Sequence, residues 1–366
     1  MPDARVTLVT GFPNFRASQL ASHLLSNADE QVWTVVHERD EPLAERFRAA
    51  LPAALTARFR HFVGDPTAID MGLSGPEYRE LSGRVTCIQH LAQQTGPTFG
   101  KESYEELNVC TMREALELGL AAARLEALVA HSSVIVSGDR QGHVSESELV
   151  AGQRFSGPGP ATLAKAELMA KRRMDRLPIV ILRSGQVVGP STSGAVDTLD
   201  GVYLLILLIL NSPQDLSPLL PDWGDAPLHV VPADHFVRVA DAASRHRAAI
   251  GHTLQLTDPK PMTVRRAFNR CMKVREQLAA EGLAFPPALT ALRRDSVLRD
   301  SLQAILWRPR TFINMTFRKV HYGTEVAERL LGELGLGCPP LEAYFEQLVR
   351  HVVRFVSVAP AKAVSS

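Results

Sequence analysis

The sequence has few of the features that mark disulfide-stabilised, zinc-binding or nucleic-acid-binding proteins. Its 4 cysteines, Cys87, Cys110, Cys271 and Cys338, lie far apart and form no Cys-x-x-Cys pair, so neither a disulfide framework nor a zinc site is expected. The formal net charge is only +1, which gives no general attraction to nucleic acid or to acidic lipid. We therefore expect no metal and no nucleic-acid partner.

Long apolar runs are also missing. The longest, Val202 to Leu210, is far shorter than the roughly 20 residues that a membrane-spanning helix needs. We expect no membrane span, and we expect this run to be buried core or to line an apolar pocket. The first residues, Met1 to Arg5, enter an apolar strand at once and leave no room for a signal peptide. With the scattered cysteines, this favours a reducing, cytoplasmic location.

What the sequence does contain is a regular alternation of short apolar strands and helical segments. At 366 residues it is long enough for one large α/β domain with a lobe, or for two domains. Alternation of this kind predicts a parallel sheet that helices cover on both faces. The predicted strands are Val6 to Thr10, Gln31 to Val36, Phe59 to Val63, Thr86 to Ala92, Leu128 to Val136, Leu177 to Arg183 and Thr253 to Leu256.

The turn after the first strand resembles the opening motif of the extended short-chain dehydrogenase/reductase family. Residues Thr10 to Ala17 stand where that family has Thr-Gly-x-x-Gly-x-x-Gly. Gly11 matches the glycine of the tight turn, whereas Asn14 and Ala17 replace the glycines that admit the pyrophosphate and let helix and strand pack closely. The Asn14 side chain is expected to point toward the pyrophosphate, and Pro13 removes a backbone donor. We therefore expect weak or lost dinucleotide binding.

Further motifs follow in the family's order. They are Gly64-Asp65, His90-Leu91-Ala92, the segment Asn108-Val109-Cys110-Thr111, which is close to the family's Asn-Val-x-Gly-Thr, and a Leu-Arg strand end at Arg183. From Gly194 onward the likeness narrows to the thioester-reductase-like and fatty-acyl-reductase-like branch. The resemblance implies an α/β fold, a doubly wound parallel Rossmann sheet with a smaller, mostly helical C-terminal substrate lobe. We place the Rossmann domain at residues 1–263 with lobe insertions around 190–235, the lobe at 264–358 and a disordered tail at 359–366.

The resemblance also implies a cofactor, NADP or NAD. After the second strand, His37 and Arg39 favour the 2′-phosphate of NADP, whereas Glu38 favours NAD. A solvated charge cluster that opens the next helix is the alternative interpretation of these three residues. The cofactor-binding residues that the resemblance assigns are Thr10, Gly11, Asn14, Phe15, His37, Arg39, Asp65, Leu91, Ala92 and Lys165.

The resemblance assigns catalytic positions to Ser133, Lys165 and Asn108. Ser133 would hold the substrate carbonyl, and Asn108 would support the lysine through water. Taken alone, a serine such as Ser133 at a strand end more commonly satisfies backbone groups with its hydroxyl.

The tyrosine of the family's catalytic helix is missing. The family has Asn-Pro-Tyr-x-x-x-Lys-x-Glu, and Pro160, Lys165 and Glu167 fix the register so that Ala161 stands at the tyrosine position. Residues four apart share one helix face, which lets the lysine lower the pKa of the phenol. Ala161 has no proton to donate. The neighbouring Thr162 lies about 100° around the helix and is too weakly acidic.

Three hypotheses follow. The favoured one is a diverged, non-catalytic protein that binds a ligand or partner. The second is an active oxidoreductase that acts on an acyl, ketone or thioester substrate through Ser133, Lys165 and a substitute proton donor. The third is a scaffold in which Val202 to Leu210 docks an acyl chain or a protein. We expect a small acyl or polyketide-like ligand, free or carrier-bound, in an apolar cleft beside Tyr203 and this run. An oligomer is compatible with all three.

Overall fold

The structure is a computed structural model that describes residues 4–94, 103–212, 222–282 and 318–357, and the structural statements below concern these residues. The predicted tail at 359–366 and part of the predicted lobe lie outside them. The predicted domain boundary at residue 263 stays a prediction.

A seven-stranded parallel sheet forms the centre of the fold, as predicted. Its spatial order is β3-β2-β1-β4-β5-β7-β10. The chain thus builds the sheet outward from β1 in one direction and then from β4 in the other, so that the strand order reverses between these two strands. In open α/β sheets, ligands bind at the carboxyl edge near such a reversal. The strands are β1 Arg5–Thr10, β2 Glu30–Val36, β3 Phe59–Val63, β4 Cys87–His90, β5 Ala127–Ser133, β7 Ile179–Ser184 and β10 Thr253–Leu256.

Two small parallel pairs extend beyond the carboxyl edge of this sheet. Strand β6, Gly142–Val144, pairs with β11, Val320–Tyr322. Strand β8, Gln186–Val188, pairs with β9, Val230–Pro232. The first pair thereby joins a segment late in the chain to the region that follows β5.

Helices cover both faces of the main sheet because its strands are apolar on both faces. One face packs on α1 and α8, and the other packs on α5 and α6. Among the described residues, no helix has both the length and the apolarity to cross a bilayer. The helices are α1 Phe15–Ser26, α2 Glu41–Ala50, α3 Ala53–Thr56, α4 Gly75–Arg84, α5 Thr111–Ala121, α6 Pro158–Lys171, α7 Gly201–Leu210, α8 Ala233–Arg245, α9 Val264–Ala280, α10 Glu325–Gly332 and α11 Phe345–Ser357.

The apolar run Val202 to Leu210 forms α7 and lies in a separate core between α9 and α11. Tyr203 is fully buried, and its hydroxyl accepts from Gly189 N at 2.8 Å and donates to Gly194 O at 2.7 Å. Within the described residues this run is therefore core, the first of the two alternatives that the sequence left open, and the predicted apolar ligand cleft beside it stays a prediction. A helix that is apolar on all sides is driven into the interior, and here α9 and α11 supply the apolar surfaces that cover it.

Candidate cofactor and catalytic site

The turn after β1 presses against the segment that follows β4. Gly11 has φ +77°, and a Cβ on it would lie 2.7 Å from the backbone of Leu91 and Ala92, so that only glycine fits. Thr10 Oγ1 accepts from Leu91 N at 3.1 Å and from Ala92 N at 3.2 Å. The structure thus brings together four of the predicted cofactor residues at the edge where the strand order reverses.

Asn14 caps helix α1. Its Oδ1 accepts from Ala17 N at 2.9 Å, and its Nδ2 donates to Leu91 O at 3.4 Å. The side chain thus satisfies one of the free N–H groups at the start of the helix, as N-cap asparagines do. It is directed onto the helix and the β4 segment, and its predicted crowding of a pyrophosphate stays a prediction.

The start of α1 keeps part of a phosphate-binding cradle. Ala17 N is occupied by the cap, but the amides of Phe15 and Arg16 make no hydrogen bond within the described part of the chain. Free amides and the positive end of the helix dipole attract anions. The residues present therefore fit a dinucleotide phosphate with fewer donors than an uncapped helix offers.

A second group of predicted residues gathers at the ends of β2 and β3. Asp65 Oδ1 accepts from Thr67 N at 2.9 Å and from Thr67 Oγ1 at 2.7 Å. Burial raises the pKa of Asp65, but the bonds from Thr67 and the nearby charges of His37 and Arg39 outweigh it and hold that pKa below its usual value. An anionic Asp65 thus lies near His37 and Arg39, where the resemblance places the adenosine end of the cofactor.

The three predicted catalytic residues make no direct hydrogen bond to one another among the contacts of the described residues, and their joint role stays a prediction. Lys165 makes an ion pair with Glu105, and its side chain is 57% exposed. Ser133 Oγ accepts from Ile135 N at 3.5 Å at the start of a short 3-10 helix. No hydrogen bond joins Ser133 to Lys165 among the contacts of the described residues.

Asn108 holds backbone, and its predicted support of Lys165 through water stays a prediction. It is buried, its Oδ1 accepts from Gln94 N at 2.7 Å, and its Nδ2 donates to Gln94 O at 2.9 Å. The same Nδ2 donates to Thr162 Oγ1 at 2.9 Å. Asn108 therefore fastens the segment after β4 to helix α6.

The helix face where the family has its phenol carries no acid. Ala161 offers a methyl group. The Thr162 hydroxyl accepts from Asn108 and lies 2.8 Å from Pro158 O, to which it donates. Its hydroxyl proton is thus engaged with the helix backbone, and the expectation that Thr162 does not replace the phenol stays a prediction.

Glu167, which helped to fix the motif register, is part of a buried ion pair. Its carboxylate accepts from Arg183 Nε at 2.9 Å and 3.0 Å and from Ser132 Oγ at 2.6 Å. Glu167 and Arg183 are 1% and 2% exposed. This pair ties α6 to β5 and β7 and is structural.

Two residues near the cofactor turn were missed by the sequence reasoning. Burial lowers the pKa of Arg16, in the first turn of α1, to about 10, and the Asp200 carboxylate opposes that change. His131 is buried, with Nε2 2.8 Å from Gln89 Oε1 and Nδ1 without a partner among the described residues. Burial, followed by the charge of Arg16, holds its pKa well below the usual value. The signal in the sequence that could have identified Arg16 was its position directly after the turn that follows β1.

Comparison with known proteins places this geometry in a family. Residues 9–240 match the model of an NAD-binding family described as male sterility protein. A glycine betaine reductase, ATRR, of Emericella nidulans is 25% identical over 285 residues, which are 73% of this chain and 22% of that protein. The chain thus spans about a fifth of that relative's length.

Solved structures show the same fold. The terminal R domain of the myxalamid PKS-NRPS biosynthetic pathway superposes with a TM-score of 0.75 at 24% identity, over 96% of this chain and 91% of that one. A thiolation-reductase di-domain from an archaeal non-ribosomal peptide synthetase gives 0.68 at 14% identity, over 96% and 76%. Together with the family model, the sheet order and the motif order, these similarities lead to one assignment. The chain belongs to this NAD-binding, thioester-reductase-like family of the extended short-chain dehydrogenases/reductases.

Proposed function

We propose that this chain is a diverged family member that binds NADP or NAD weakly and holds an acyl-type ligand, with little carbonyl reduction at the family's usual site. The observation that carries the proposal is the methyl group of Ala161 at the position of the proton donor. Ser133 and Lys165, engaged with Ile135 and Glu105, do not compensate. Loss of a general acid typically costs 10²–10⁴-fold in rate.

The cofactor part of the proposal depends on what remains of the cradle. The amides of Phe15 and Arg16 would hold the pyrophosphate, and Asp65 with His37 and Arg39 would lie at the adenosine end. A bound dinucleotide would supply or accept a hydride. With Ala17 N capped by Asn14, we expect dissociation constants above about 1 μM (~ −8 kcal/mol).

The ligand part of the proposal rests on the family. The structural relatives are reductase domains of PKS and NRPS systems, one of them joined to a thiolation domain. We therefore propose an acyl or polyketide-like group, presented as a thioester on a carrier protein.

Restoring the phenol tests the catalytic part. Wild type should reduce aldehydes, ketones and acyl thioesters with NADPH or NADH at well under about 1 s⁻¹. Ala161→Tyr should raise the rate, provided that dinucleotide binding measured by calorimetry is unchanged. Ala161→Phe is the matched control, because it adds the ring without the hydroxyl and should leave the rate low. Wild-type turnover at or above about 1 s⁻¹ would exclude the proposal.

A second candidate is an active reductase with another proton donor, and Tyr322 favours it. Its hydroxyl lies 3.0 Å from Ser137 Oγ, and its ring packs on His229 at 4.6 Å. Ser137 closes the 3-10 turn that follows Ser133, so this phenol stands near the carboxyl edge of β5. If wild type is active, Tyr322→Phe should lower turnover at least tenfold while KM changes little; an unchanged rate rejects Tyr322 as the donor.

A further inference from the structure

Helix α9 is rich in positively charged side chains, and it lies outside the candidate cofactor and catalytic site. It has Arg265, Arg266, Arg270, Lys273 and Arg275 against a single acid, Glu276, in a chain whose net charge is only +1. The apolar side chains of the helix pack into the core with α7 and α11. The charges are therefore confined to its outer surface.

The partners of these cations divide them into two groups. Arg265 lies 3.3 Å from Asp225, and Arg275 donates to Leu210 O and Ser212 O at 3.1 Å each. Arg265 and Arg275 therefore have structural roles. The other three share one helix face, because they follow at intervals of four and three residues.

Those three, Arg266, Arg270 and Lys273, form what we call the α9 basic face. Arg266 pairs with Glu342 at 2.6 Å but is 66% exposed. Arg270 and Lys273 are exposed and have no ion-pair or hydrogen-bond partner among the described residues. Among the described residues two acids, Glu342 and Glu276 one helical turn beyond Lys273, lie beside three cations, which leaves an excess of positive charge. Such an excess of one sign is relieved when an oppositely charged surface binds.

The α9 basic face borders a groove rather than a flat surface. A cavity of about 320 Å³ lies between α9 and the turn that carries Glu342, with Asn269 on its wall and the buried Met262 at its floor. This volume is at the lower limit for small-molecule pockets, and it suits one or two inserted side chains. The three cations span about 10 Å along the helix axis, the length of two turns of a partner helix.

We propose that the α9 basic face binds an acidic helix of the carrier protein that delivers the acyl group. The inference rests on the proposed function, in which the ligand is carrier-bound, and it adds the place where the carrier docks. A protein helix fits better than nucleic acid, because the chain as a whole is nearly neutral and has no general attraction to a phosphate backbone.

A salt-dependent titration tests the docking surface. The probe is a phosphopantetheinylated bacterial acyl carrier protein, titrated into the full chain at about 25 mM and about 300 mM salt. Wild type should bind more than tenfold more tightly at the lower salt concentration. Arg270→Glu with Lys273→Glu should weaken binding at least tenfold at low salt. Arg46→Glu with Arg48→Glu, on the exposed surface of α2, is the matched control, because it makes the same change in net charge elsewhere.

Each outcome decides one of the two proposals. If wild type fails to bind the carrier at low salt, or if the α2 control loses as much affinity as the α9 variant, the docking inference is wrong. Thermal unfolding of both variants shows whether either has lost its fold, and Arg270→Gln with Lys273→Gln provides a milder second variant. Titration with NADPH and with a free acyl thioester tests the proposed function separately, because neither needs the α9 basic face.

Discussion

At the scale of single residues, Asn14 decides how much of the phosphate cradle is open. Its side chain takes the amide of Ala17 and holds Leu91 O. Asn14→Gly should free that amide and tighten NADPH or NADH binding about tenfold, which is about 1.4 kcal/mol. The helix should lose only a few tenths of a kcal/mol, since glycine is an acceptable N-cap. Calorimetric titration measures the affinity, and thermal unfolding measures the stability.

Asn14→Asp is the control for that change. Aspartate keeps the cap but places a negative charge beside the phosphate position, so affinity should fall below wild type. Equal affinities of wild type and Asn14→Gly would show that the cap does not limit binding.

Residues with local roles could be predicted from the sequence, and residues with long-range roles could not. Thr10, Gly11, Leu91 and Ala92 meet as the motifs implied. The capping role of Asn14 was not predicted, although asparagine is favoured before a helix. The pairs Lys165–Glu105 and Asn108–Thr162 join residues 60 and 54 positions apart. Nothing in the spacing of either pair indicates which partner each side chain chooses.

At the scale of secondary structure elements, substitutions in α7 can test whether this helix is core or borders a ligand cleft. Ile206 is fully buried, whereas Leu208 on the same helix is 39% exposed. Ile206→Ala should lower the free energy of unfolding by about 2–5 kcal/mol because it leaves a cavity, and Leu208→Ala should cost much less. Denaturant unfolding measures both. Neither substitution should change the affinity for an acyl thioester. A selective loss of that affinity in Ile206→Ala would support the hypothesis that α7 borders a ligand cleft.

The strands were predictable as elements, but the surroundings of α7 were not. Strand Thr253–Leu256 ends where the sequence pattern placed it, and β5 ends at Ser133 instead of continuing to Val136. The reason is that Ser133 caps a 3-10 turn with its own hydroxyl. An all-apolar helix fits a core and a pocket equally well by composition. Helix α7 is buried because α9 and α11 pack against it, and these two helices lie far along the chain from it.

At the scale of the whole molecule, buried histidines make stability depend on acid. Burial lowers the pKa of His90, His229 and His235 to about 4. In the unfolded chain each takes up a proton near pH 6.5. Between about pH 6.5 and 4 the unfolded state thus binds more protons, and stability falls as the pH falls. Burial raises the pKa of Glu30 and Glu146. In the pH range just above the usual pKa of a glutamate, these two groups therefore increase stability as the pH falls.

His235 isolates this effect, because both its ring nitrogens lack partners within the described residues. His235→Leu should therefore break no hydrogen bond. Between pH 7 and pH 5 the free energy of unfolding of this variant should fall by about 2 kcal/mol less than that of wild type. His143→Leu, at an exposed position, is the control. Denaturant unfolding at both pH values gives the comparison, and equal losses in wild type and His235→Leu would contradict the expectation.

The architecture of the whole molecule was the most predictable level, because several motifs in a fixed order restrict the topology more than any single motif does. The seven-stranded doubly wound sheet follows from that order. The attachment of β11 to β6 does not, since three-residue strands carry too little pattern to reveal a partner that lies far along the chain.

The two structural roles found for Asn108 and Glu167 bear on how enzymes lose their reactions during evolution. Both residues belong to motifs that identify the family, yet here one fastens a loop and the other neutralises a buried arginine. If the proposed loss of carbonyl reduction is correct, natural selection for folding alone would preserve both residues. A genome survey that counts only such motif positions would then class this chain with working reductases, whereas the substitutions at Asn14, Ala17 and Ala161 would tell the two apart.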